Sequence, residues 1–130
     1  MTFENLFDEV VIISVYTRKQ AIEDGVLVDV SVIASEAGIK YPVAVTRQVW
    51  DEYIVPGEIT RPFGQSEDGR LWDLLWMFRT AARRTPGSLL MFKCYFLMNE
   101  RRQELVEFKS ICGPGDRAEP VITIMMPWED

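Results

Sequence analysis

The chain has 130 residues, the size of a single domain spanning 1–130, and 48% of them are hydrophobic, enough for a core and too many for intrinsic disorder. Its formal net charge of −6 argues against a phosphate-binding surface, and so against direct nucleic-acid binding. Histidine is absent, which removes the commonest general base together with the usual transition-metal ligand, and two cysteines cannot complete a four-thiolate zinc site.

No metal and no cofactor is therefore expected. The start shows no charged segment leading into an apolar signal, and no apolar run approaches the roughly 20 residues of a membrane span. The expectation is a cytoplasmic protein without a membrane partner, its Cys94 and Cys112 kept as free thiols.

In chain order, Met1 to Glu9 mixes Phe3, Leu6 and Phe7 with acids and reads as an arm or helical turn. Val10 to Tyr16 is a nearly continuous β-branched run and predicts a buried strand. Thr17 and Gln20 form a T-x-x-Q capping box for a helix over Arg18 to Asp24, stopped by Gly25, with Ala21 and Ile22 inward. Val26 to Val30 is extended. Ser31 is read as the cap of a brief helix that Gly38 ends, and Tyr41-Pro42 as extended or turned.

Thr46 is a third cap, for Arg47 to Ile54, with Val49, Trp50 and Tyr53 on the apolar side and Pro56-Gly57 as the stop. Residues 57–68 predict an ordered loop. Arg70 to Arg84 is the clearest helix, because Leu71, Leu74, Leu75, Phe78 and Ala82 repeat at the spacing of one buried face. The period then changes to two. Leu89 to Met98, Leu105 to Cys112 and Pro120 to Met126 predict three strands, joined by Asn99 to Gln103 and by the turn formers Gly113 to Asp116. The order predicts an α+β domain: about four strands in a largely antiparallel sheet, a C-terminal three-stranded meander, and helices packed on one face.

Several stretches resemble a family of small bacterial proteins of unknown function found on plasmids, integrative elements and phages. They are Tyr16-Thr17-Arg18, Gln20 to Ser31, Pro42 to Trp50, Gly69 to Arg83 and Cys112 to Met126. The resemblance implies a mobile-element origin and a cytoplasmic location. It implies no activity and no catalytic residues.

Four constellations carry the candidate chemistry. Trp72, Trp76, Arg79 and Arg83, spaced four, three and four, line up beside the core face of the long helix. These residue types are enriched where proteins bind each other, which points to a protein partner or a homodimer. The bland alternative tucks the tryptophans under the sheet and leaves the arginines to solvate the helix end. A second, polar set is Tyr16, Thr17 and Arg18 with Asp116 and Glu119. It faintly resembles the opening block of ADP-ribosyltransferase-like folds, although it lacks their histidine. The glycine-rich turn before Asp116 leads into a strand, where a phosphate loop leads into a helix, so hairpin geometry explains it.

The carboxylates Asp24, Asp29, Asp51, Asp73 and Asp116 show no spacing that pairs two of them on one face, so no acid–base or metal site is assigned. Cys94 and Cys112 read as inert strand thiols, and Met125 and Met126 as core closure. The functional expectation is a non-enzymatic binding or regulatory protein. A nucleotide-using transferase is one alternative, and an acidic inhibitor of a host nucleic-acid-acting enzyme is another.

Overall fold

The computed structural model describes residues 16–130. The arm expected over Met1 to Glu9, and all of the Val10 to Tyr16 strand except its last residue, lie outside them. Tyr16 itself is in neither helix nor strand.

Thr17 opens helix α1 (Arg18–Glu23) with the predicted capping box: its hydroxyl accepts from Gln20 N at 3.0 Å, and its own N–H donates to Gln20 Oε1 at 3.0 Å. Strand β1 (Leu27–Asp29) follows, then helix α2 (Ser31–Glu36). The cap expected from Ser31 is a correction. Val30 is the N-cap and makes no side-chain cap bond, while Ser31 is the first helical residue. Asp29 Oδ1 accepts from the Ser31 N–H, and the Ser31 hydroxyl in turn accepts from Val43 N. A carboxylate two residues upstream thus does the work assigned to the serine.

Strand β2 (Val43–Thr46) leads into helix α3 (Arg47–Val49), which Thr46 caps through Val49 N at 3.3 Å. The chain then widens into one π turn over Trp50–Ile54. A short 3-10 turn (Arg61–Phe63) precedes the long helix α4 (Glu67–Arg84), which starts a turn earlier than its apolar period suggests because Ser66 caps Gly69 N at 3.0 Å. Strands β3 (Leu89–Asn99), β4 (Arg102–Pro114) and β5 (Pro120–Met125) complete the described chain.

The sheet differs from the expected one. It has five strands among the described residues, in the order β1-β2-β5-β4-β3, and it is mixed. β3, β4 and β5 pair antiparallel in succession, but β5 then pairs parallel with β2, and β2 antiparallel with β1. The early strands are therefore inserted beside the last one. β2 opens Val-Ala-Val with all three of these residues buried, as a strand covered on both faces must be.

Helices on one face is the second correction. Leu71, Leu74, Leu75 and Phe78 of α4 join Phe92, Phe96, Val106, Phe108, Ile122 and Ile124 in one core. Alternation turns Val121, Thr123 and Met125 of β5 to the other side. There Arg18 of α1 donates to Thr123 Oγ1 at 2.7 Å, so α1 covers the face that α4 does not. Ala82 also departs from expectation. It is exposed, lining a cavity of ≈ 150 Å³ with Tyr41 and Leu90 that its methyl is too small to fill.

Candidate functional site

Two places bring the singled-out residues together. The first is the polar set at the start of α1. Asp116, in the turn between β4 and β5, accepts from Arg18 N at 2.8 Å through Oδ1 and from Lys19 N at 3.0 Å through Oδ2. It satisfies helix-end donors that lie 98 and 97 residues away in sequence. The guanidinium of Arg18 is taken up by Thr123 Oγ1 and by Ile122 O at 2.8 Å. Tyr16 donates to Asp24 Oδ2 at 2.5 Å, which pushes its phenol pKa up. Glu119 accepts from Arg117 N and folds over Gly115, so a side chain at Gly115 would have to displace the Glu119 carboxylate.

These contacts join α1 to the β4–β5 turn and occupy the polar groups with one another. The two backbone N–H bonds hold the Asp116 carboxylate below its ordinary pKa. A folded-state pKa below the unfolded value, about 4, means stability present above that pH and lost as pH falls through the depressed value. Asp116→Ala is expected to lower the melting temperature at neutral pH. The gap from the parent protein should close on acidification, as read in thermal melts across a pH series.

The second place is α4. Trp72 and Trp76 are 39% and 46% exposed on its crest, so the sheet does not cover them. Arg79 is half-buried. Its guanidinium lies 5.1 Å from the Trp76 ring centroid, and its Nε would be 3.1 Å from a Cβ at Gly38, so the arginine is clamped between the indole and the end of α2. Arg83 is exposed at the last turn, apart from that clamp. Three residues that the helical period did not single out join the tryptophans. Asp73, Met77 and Tyr95 line a groove of ≈ 460 Å³ with Trp72 and Trp76, between α4 and β3. Desolvation raises the Asp73 carboxyl pKa, partly offset by Arg70.

A second groove of ≈ 450 Å³ runs on from Met77 past Thr80 and Arg84 beside Met91 and Lys93. Both grooves follow β3, the last strand on that side of the sheet among the described residues. Its backbone polarity is fixed by one bond. Cys112 N donates to Ser88 O at 2.8 Å, and the register sets Leu89 opposite Ile111, so Ser88 and Cys112 form a hydrogen-bonded pair. Bonded pairs alternate in an antiparallel ladder, so Leu89, Met91, Lys93, Tyr95 and Leu97 turn their backbone groups away from β4. Two outward carbonyls are already used, Leu97 O by Arg70 Nη2 and Tyr95 O by the Cys94 thiol at 3.6 Å. Burial pushes the Cys94 thiol pKa up to about 12, which leaves it unreactive.

No group of three acidic or cysteine side chains among the described residues could hold a metal ion, and none of their helices is long and apolar enough to cross a membrane. A family model described as a family of unknown function, DUF6573, matches residues 3–130. The chain belongs to that family. No curated protein and no solved structure matches this DUF6573 member. Its site is thus defined by its own geometry: a tryptophan-lined groove against an edge strand with outward backbone groups.

Proposed function

We propose that the chain is a non-enzymatic protein-binding module whose contact surface is the groove between α4 and the edge of β3. One observation carries this reading: Trp72 and Trp76 stand exposed above a groove that Cys94 and Tyr95 also line, beside outward-facing strand backbone. Exposed tryptophans supply large contact area at small entropic cost, and a free strand edge supplies directional bonds to an extended segment. Missing histidine favours binding over catalysis, and so does the engagement of the Asp116 carboxylate by the Arg18 and Lys19 N–H groups and of the Arg18 guanidinium by Thr123 and Ile122 O. The net charge of −6 favours a protein over a nucleic acid as partner. A cytoplasmic setting on a mobile element rests on the resemblance of the quoted stretches.

The test is the Trp72→Ala/Trp76→Ala double variant. Tagged parent protein is expected to recover a defined partner in stoichiometric amount, and the variant to lose at least about 30-fold in affinity for it, as two hot-spot truncations do. The fold should persist, because both side chains lie outside the core. Equal affinity in a correctly folded variant would remove this surface from consideration.

A further inference from the structure

Resting on that reading, we infer that the partner at this groove is a second copy of the chain, joined through β3 to β3 about a two-fold axis. The argument is self-complementarity, first in the strand and then in the helix above it. Leu89, Met91, Lys93 and Tyr95 are the outward positions of β3 before Arg70 closes Leu97. An antiparallel pairing with Phe92 on the axis sets Leu89 opposite Tyr95 of the second copy, and Met91 opposite its Lys93. Every one of these outward positions is then in a bonded pair. Shifting the register by two residues one way sets Lys93 against Lys93, a like-charge pair that opposes that alignment. Shifting it the other way leaves Tyr95 without a counterpart.

The helix carries the same symmetry. α4 runs antiparallel to β3. Phe78 packs on Phe92 with ring centroids 5.7 Å apart, while Asp73 lines one groove with Tyr95 and Arg84 lines the other with Met91 and Lys93. An axis through Phe92 therefore passes α4 between Met77 and Thr80. On the flank facing the strand edge, Asp73, Met77, Thr80 and Arg84 are spaced four, three and four. That spacing reads the same in both directions, so the axis brings Asp73 to Arg84 of the second copy and Met77 to its Thr80. Opposite charges meet twice, at the two ends of one interface. The axis set by the strand register thus also pairs opposite charges on the helix.

The experiment is sedimentation of purified chain. The parent protein is expected to be a dimer. Asp73→Arg and Arg84→Asp should each weaken it about tenfold by placing like charges together at both ends. The double variant Asp73→Arg/Arg84→Asp should recover it, and so should an equimolar mixture of the two single variants, whose heterodimer pairs Arg with Asp at both ends. Lys93→Pro removes an outward N–H without touching the β4 ladder, and should yield a folded monomer by circular dichroism. A monomeric parent protein overturns the inference, whether the edge is taken by residues 1–15 or by a different protein. A dimer indifferent to all these changes overturns it too. Partner recovery that still depends on Trp72 and Trp76 would leave the binding-module reading standing, so the two failures are distinguishable.

Discussion

Replacing Arg70 by methionine is expected to cost about 3 kcal/mol in equilibrium urea unfolding, a large share of the roughly 5–15 kcal/mol that a domain commands. Arg70 is 4% exposed on the inner side of α4. Its Nη1 donates to Tyr53 O at 2.8 Å, its Nη2 to Leu97 O, and its Nε to Gln65 Oε1 at 3.3 Å, while the guanidinium sits 5.3 Å from the Phe96 ring centroid. Methionine replaces the aliphatic stem but leaves two carbonyls without donors, and an unmet buried acceptor costs about 1–3 kcal/mol. Lysine should be intermediate, since a single ammonium on a flexible stem cannot present a planar fork to two carbonyls and a carboxamide. The loss should be directional. Hydrogen exchange is expected to quicken at the Leu97 end of β3 before the rest of the strand.

That position also shows where local sequence stops being informative. An arginine opening an amphipathic helix reads as a solvated charge, and nothing adjacent to it announces a buried role. Its partners come from the π turn 17 residues upstream and from β3 27 residues downstream. The same distance problem hid the sheet order. Turn residues told that β3, β4 and β5 follow one another, because short links force neighbours to pair. No local pattern says that β2 will enter beside β5 and run parallel to it. The clue was composition: Val43-Ala44-Val45 has no polar alternation, which belongs to a strand covered on both faces.

What local chemistry does encode was readable. The Thr17 capping box, the Thr46 cap and the apolar stripe from Leu71 to Phe78 are set by residues within one or two turns of each other. Ser66 was missed as the cap of α4 because the apolar period starts only at Leu71, although two acids in the first turn mark the earlier start. At the candidate site, Trp72 and Trp76 stood out by residue type, and Arg79 and Arg83 by spacing. The structure separates the last two, holding Arg79 against Gly38 and leaving Arg83 outside the clamp. Asp73 and Arg84 were invisible as a pair, because the pairing proposed for them lies about an axis between two copies.

The largest loss is expected at Phe108. It is fully buried in β4, with the rings of Tyr53, Phe92 and Phe96 at 5.6, 5.6 and 5.8 Å. Phe108→Ala removes the ring that joins the π turn to two positions of β3. The expected cost is about 4 kcal/mol, from lost transfer energy plus a cavity that three stiff neighbouring rings cannot close. Phe108→Leu should recover more than half, because it restores most of the volume if not the edge and stacking contacts. Leu105, three residues earlier on the opposite face of the same strand, is 46% exposed. Leu105→Ala should change stability by no more than about 0.5 kcal/mol. Comparable losses at the two positions, measured by urea unfolding, would mean that β4 turns the wrong face to α4. The outward set of β3, and with it the geometry of the groove, would then have to be drawn again.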